Sequence, residues 1–284
     1  MAHVLIRASS LSSYPDCPRR TAANIFAKDI EAAGFTLREL VRGVGAAIGS
    51  AVHRGAATIL KEKAQLGRMP PPTLGLDAAR DELREIVHEG VVYDDMSRKL
   101  ESAEIASLRM VATYRDNLAP YIDPILVEER LEATAGTGLI LSGQSDVIAR
   151  EPSTIRDLKT SKFTAMGYHK PQLGGYSLLA RSRGIDITRA VIDFVQRVGA
   201  RQEQPKPVSI EYDVDKAEST ALNILRVMNN DIRTFRQGDL RREIGPGDPA
   251  AFMANPNSRL CSPDWCAAWG SKFCQEHRGA ENGA

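Results

Sequence analysis

LILSGQSDVIAREPSTIRDLKTSKFTAMGYHKPQLGGY, residues 139–176, is the stretch on which the reading of this chain turns. Two apolar runs, Leu139–Ile148 and Ser153–Leu158, predict strands joined by a short polar turn at Arg150–Pro152. The first holds Gly143-x-x-Asp146 and the second ends in Asp157-Leu158-Lys159. Residues i and i+2 of a strand share a face, so Asp157 and Lys159 project together. Paired as a hairpin, the strands bring Asp146 alongside. Two carboxylates crowded together raise each other's pKa, and a divalent cation between them removes the repulsion. Hard oxygen ligands suit Mg²⁺ or Mn²⁺.

Tyr168–Arg183 predicts a helix, with Pro171 in its first turn. Gln172 and Tyr176, at i and i+4, share a face. Upstream, Thr36–Ala64 reads as a helix containing Gly45, Gly49, Gly55 and His53. A lone helical histidine is usually structural or solvated. Pro70-Pro71-Pro72 makes Lys61–Leu76 a loop. Leu76–Asp94 and Lys99–Leu118 follow as scaffold helices, the second with an apolar stripe from Leu100 to Leu118. Ile125–Ala133 predicts a strand entering the turn Gly136-Thr137-Gly138. Glu128 and Glu129 on it face opposite ways; a solvated edge is the favoured reading, and a supporting role behind the site is the alternative for either. Arg189–Val198 and Val208–Val214 alternate as strands, and Leu222–Phe235 mark a helix ending near Gly238. Arg226, Arg233 and Arg236, with Arg241 and Arg242 beyond, give that helix a basic stripe that fits either a phosphate backbone or solvent. The tail after Cys274 is short and polar and is expected to be mobile.

The chain has 284 residues, 43% hydrophobic and 26% charged, enough for a sizeable core. A net charge of +1 neither announces nor excludes nucleic acid. No apolar run reaches the length of a membrane span, and the first residues lack the pattern of a signal peptide. A cytoplasmic protein is expected. Four cysteines are too few for a disulfide scaffold and suit metal or redox chemistry.

G-x-x-D, then D-x-K, then Gln172-x-x-x-Tyr176 resembles the RecB-like branch of the PD-(D/E)XK nuclease superfamily, in pieces from Leu11 to Cys274. That branch includes nuclease domains of bacterial recombination helicases, CRISPR-associated RecB-like exonucleases and phage exonucleases. The resemblance implies an α/β fold with a restriction-endonuclease-like mixed sheet flanked by helices. It implies one domain over residues 1–284: a mainly helical part to about 120, a nuclease core over 121–214, and a C-terminal helix and cysteine segment over 215–284. Gly49-x-x-x-His53 resembles the family's first motif, which makes His53 a metal ligand beside Asp146, Asp157 and the carbonyl of Leu158. Lys159, Gln172 and Tyr176 complete the implied catalytic set.

Ser10-x6-Cys17-Pro18-Arg19-Arg20 resembles the entry segment of the iron–sulfur members; read alone, it is a surface turn with one buried cysteine. Cys261, Cys266 and Cys274 stand in C-x4-C-x7-C. Four thiolates complete either a tetrahedral zinc site or a 4Fe–4S cluster. The two C-x2-C pairs of a zinc ribbon are missing, and the resemblance implies the cluster, closing the chain like a staple.

The implied activity is metal-dependent exonucleolytic hydrolysis of DNA in repair, recombination, phage or CRISPR processing. No phosphate-binding G-x-x-x-x-G-K-[ST] occurs, so a helicase motor or other recombination or CRISPR partner would be a separate chain. Oligomerisation, cleavage polarity and strand preference stay open. Two rivals stand beside this reading: a non-catalytic DNA-binding or assembly module of the same fold, and a zinc-dependent nucleic-acid adaptor.

Overall fold

The computed structural model describes residues 3–135, 138–162, 168–199 and 201–275. The expected tail beyond residue 275, and Gly136 and Thr137 of the expected turn, lie outside them.

In chain order the elements are β1 (Val4–Arg7), α1 (Pro18–Ile25), α2 (Ala27–Ala32), α3 (Val44–Leu66), α4 (Pro72–Glu89), α5 (Leu100–Asn117), β2 (Pro124–Val127), β3 (Arg130–Thr134), β4 (Leu139–Gln144), β5 (Val147–Ala149), β6 (Thr154–Ser161), α6 (Lys170–Ser182), β7 (Arg189–Gln196), β8 (Val208–Tyr212) and α7 (Val214–Gln237), with short 3-10 turns between them. The fold is the mixed α/β arrangement expected. The strands form a three-stranded sheet, β1-β4-β3, and a five-stranded sheet, β2-β5-β6-β7-β8. β1 joins β4 in parallel and β6 joins β7 in parallel, with α6 as the crossover between β6 and β7; the other pairs are antiparallel.

Alternation along β6 serves two cores. Ile155 packs into a core with α1, α6, α7 and the C-terminal segment, whereas Leu158 packs into a second core with α3, α4 and α5. The sheet is thus covered on both faces, and β6 is buried between helical layers.

Several boundaries depart from the expectation. The run Leu139–Ile148 is two strands in different sheets, broken at Ser145-Asp146. Ile125–Ala133 is likewise two strands, because the chain changes sheets at Glu128-Glu129. The backbone N–H of Glu128 donates to the carbonyl of Asp146 at 3.1 Å, so the two crossing points are bonded to each other. The expected helix from Thr36 begins only at Val44, since residues 35–42 form no regular element and Gly43 is extended and bridges Val92 in parallel. Helix α3 then runs on to Leu66, and α4 starts at Pro72 rather than Leu76, because proline fits a first helical turn. Among the described residues no helix is long and apolar enough to cross a membrane.

Candidate active site and cysteine centre

Strand β6 directs Asp157 and Lys159 toward α6. Gln172 Nε2 donates to Asp157 Oδ1 at 3.0 Å and to the Tyr176 hydroxyl at 2.8 Å, while Gln172 Oε1 accepts from Lys159 Nζ at 3.2 Å. Lys159 Nζ also lies 2.8 Å from Asp157 Oδ2. That ion pair is the partner of the buried Oδ2. Asp157 is only 2% exposed. Burial, and then the charge of Asp146, push its carboxyl up to about 6 despite Lys159.

Asp146 stands at the break between β4 and β5. Its Oδ2 accepts the backbone N–H of Leu158 at 2.6 Å, and its Oδ1 lies 2.9 Å from His53 Nδ1. Burial favours the neutral acid, but the His53 charge and contact, the Leu158 N–H and Lys159 outweigh it and hold Asp146 below the usual carboxylate range. Burial alone would lower His53; Asp146 reverses that and lifts it. The glycine of G-x-x-D has a packing reason. A Cβ on Gly143 would sit 2.7 Å from Leu179 Cδ1 and 3.0 Å from the Tyr176 ring, so α6 lies directly on β4.

One residue of the site was ranked too low in the sequence reading. Glu128, read as a solvated edge, adopts the left-handed backbone conformation at φ +48° where β2 turns into β3. Its ligand atom and those of His53 and Asp146 all lie within 4.8 Å of one another. Its carboxylate is half-buried and makes no hydrogen bond or ion pair with a described residue; burial, then Asp146, raise its pKa. The signal available was the doubled acid Glu128-Glu129 ahead of G-x-x-D. His53 and Glu128 also line an open cleft with Ser50, Arg54 and Glu82.

The expected basic stripe on α7 is shortened. Arg236 is held by both oxygens of Asp29, at 2.7 and 3.1 Å, whereas Arg226 and Arg233 are exposed.

Cys17, Cys261, Cys266 and Cys274 are in no disulfide and line one small cavity together with Arg20 and Ser258. Burial, reinforced by the other three cysteines, pushes the Cys266 thiol up. Cys17 caps α1, its Sγ accepting the N–H of Arg20 at 3.4 Å. Side chains near it tie the two ends of the cavity wall. Arg19 Nε donates to the Phe252 carbonyl at 3.0 Å, and Arg20 Nη1 to Ser258 Oγ at 2.8 Å.

A mixed sheet covered by helices, with D-x-K facing a Q-x-x-x-Y helix, defines a class. Residues 7–271 match the family model of the PD-(D/E)XK nuclease superfamily, and the chain belongs to that superfamily. It is similar in fold to the crystal structure of an inferred exonuclease from Eubacterium rectale, with a TM-score of 0.52 and 12% identity over 82% of this chain and 80% of that one. A phage-related exonuclease from Haemophilus somnus 129PT aligns over 69% of this chain and 96% of that one at 14% identity, with a TM-score of 0.25, too low to speak for the fold. No curated protein matches the chain.

Proposed function

We propose that the chain is a divalent-metal-dependent deoxyribonuclease of exonuclease type. The observation that supports this most is Asp157 Oδ2. It is buried, its one partner among the described residues is the Lys159 ammonium 2.8 Å away, and it stands near a second buried carboxylate, Asp146. Two buried carboxylates this near each other are costly to hold with one ammonium beside them, and a divalent cation between them offsets that cost. Asp146, Asp157, His53 and the carbonyl of Leu158 would hold one or two Mg²⁺ or Mn²⁺ ions. Bound there, such an ion lowers the pKa of a water and offsets charge on the phosphate. Lys159 places its ammonium where it orients that water and faces the developing negative charge. Gln172 and Tyr176 fix Asp157 and Lys159 in position. The exonuclease mode follows the description of the Eubacterium rectale relative.

We place a 4Fe–4S cluster on the four cysteines. The four thiols line one cavity, the two C-x2-C pairs of a zinc ribbon are missing, and a cluster there would join α1 to the C-terminal segment. Four cysteines too few for a disulfide scaffold fit a reducing cytoplasm, and processing of DNA ends beside a separate motor or recombination protein fits the site.

The test is an assay on end-labelled single- and double-stranded DNA with Mg²⁺ or Mn²⁺. Asp146→Ala and Asp157→Ala should each lose on the order of a thousandfold in rate, since metal stabilisation amounts to several kcal/mol and about 1.4 kcal/mol is tenfold. A Lys159→Ala protein that cleaves at the wild-type rate would rule out this active site.

A further inference from the structure

We propose that Arg20 is the built-in counter-charge of the cysteine centre and raises the reduction potential of the cluster held there. The inference rests on the iron–sulfur reading of the four cysteines and goes beyond it, since it gives a task to a side chain that binds no metal.

Position is the first observation. Cys17 is the N-cap of α1 and Arg20 stands in the first turn of that helix, so the Arg20 side chain lines the same small cavity as Cys17, Cys261, Cys266 and Cys274. Arg20 is 5% exposed. A buried guanidinium is costly without an opposite charge beside it. The one it has here is partly screened: Nη1 lies 2.8 Å from Asp16 Oδ2, and the Asp16 side chain is 42% exposed. The other contact is neutral. Ser258 Oγ accepts from Arg20 Nη1 at 2.8 Å and donates to Asp16 Oδ2 at 2.6 Å, which fixes the direction of the guanidinium. The carbonyl of the same Ser258 accepts the N–H of Cys261 at 3.0 Å, so the Arg20 anchor and the C-terminal cysteines move as one.

Charge is the second. Four thiolates bring more negative charge than an iron–sulfur core cancels, and the loaded centre is an anion in a buried cavity. Among the described residues lining that cavity, Arg20 is the one cation. An added electron deepens the negative charge, and a fixed guanidinium nearby offsets that cost. The backbone N–H of Arg20 works in the same sense through its 3.4 Å bond to Cys17 Sγ.

The contrast with its neighbour is the third. Arg19 Nε and Nη2 donate to the carbonyls of Phe252 and Pro249, both at 3.0 Å. Arg19 secures backbone, whereas Arg20 supplies charge. Cys17-Pro18-Arg19-Arg20 thus holds two adjacent arginines with separate tasks.

Reductive titration of the anaerobically purified full chain with dithionite, followed through the visible absorbance of the cluster, reads the potential without DNA. Arg20→Gln should be about tenfold harder to reduce, a fall of about 59 mV for a one-electron couple. Arg20→Lys, which keeps the charge, should stay near the wild type. Asp16→Asn keeps the shape and removes a negative charge, so its potential should rise. Arg19→Gln should lower the thermal midpoint and leave the potential unmoved. An Arg20→Gln protein that holds its iron at the wild-type potential, or that shifts in the same direction as Asp16→Asn, overturns the assignment while the cluster stands. Should Arg20→Gln fail to fold, an unmoved Asp16→Asn protein overturns it equally. A wild type without iron overturns the cluster and the assignment together, and the iron content shows that failure separately.

Discussion

Gln172 Nε2 on α6 donates to Asp157 Oδ1 on β6 at 3.0 Å, so a helix holds the carboxylate of the D-x-K strand in place. The same amide accepts from Lys159, which makes it the joint between the two charged residues. Gln172→Leu keeps the bulk and removes both functions. Hydrolysis should fall about tenfold to a hundredfold, the scale of a misplaced reacting group. Stability should drop by about 1–3 kcal/mol from polar groups left unpaired. Mn²⁺ binding should persist. A variant with the wild-type kcat shows that the amide does not position the site.

Cys17→Ala should act twice. Loss of the cap on α1 costs about 1 kcal/mol. Loss of a cluster ligand costs more, since binding free energy at such centres is folding free energy. The anaerobically purified wild type should be brown and contain iron; the variant should lose colour, iron and thermal stability together. A colourless wild type with one zinc per chain contradicts the cluster.

Helix packing behind the site leaves no tolerance at Gly174. A Cβ there would stand 2.0 Å from the Ala217 carbonyl oxygen on α7, a contact with backbone that cannot swing aside. Gly174→Ala should destabilise by about 3 kcal/mol or more, as overpacking does when a helix must move. The denaturation midpoint measures it, and a wild-type midpoint would show that α6 and α7 can part freely.

Acid should weaken the loop between α4 and α5. Asp94 accepts from Arg197 Nη1 and Nη2 at 2.9 and 2.7 Å and from the N–H of Ser97 at 2.9 Å. Burial pulls its pKa up, but these bonds and the charges of Arg197 and Lys162 hold it below the ordinary value. A depressed carboxylate stabilises the fold above its unfolded pKa, near 3.9, and loses that contribution as pH falls through the folded value. The stability gap between wild type and Asp94→Asn should be full at neutral pH and close below about pH 4. A gap independent of pH would sink the assignment.

The motifs were legible where chemistry imposes spacing. Asp157 and Lys159 share a face because strands have period two, and Gln172 and Tyr176 because helices repeat near four residues. The mixed α/β class came from the family resemblance that those motifs carry. Glu128 was ranked too low because its role depends on where the chain leaves one sheet for another. Hydrophobic alternation from Ile125 to Ala133 runs straight through that corner, and nothing local marks a non-glycine residue forced to positive φ. Arg236 was misread for a similar reason, since its partner Asp29 lies more than two hundred residues away. Single-sequence periodicity sees neighbours along the chain and not those across it.

The pairing of β1 with β4, and of Arg19 and Arg20 with Phe252 and Ser258, also sets an order of events during synthesis. The layer α3–α5 is contiguous in sequence and can close as soon as it leaves the ribosome. Segment 4–30 cannot, because its partners are translated much later. Until then Ile6, Leu11, Tyr14, Phe26 and Ile30, all buried in the finished protein, remain open to water. A nascent chain of this kind offers an apolar early segment to holding chaperones through most of its translation, and slowing translation lengthens that exposure.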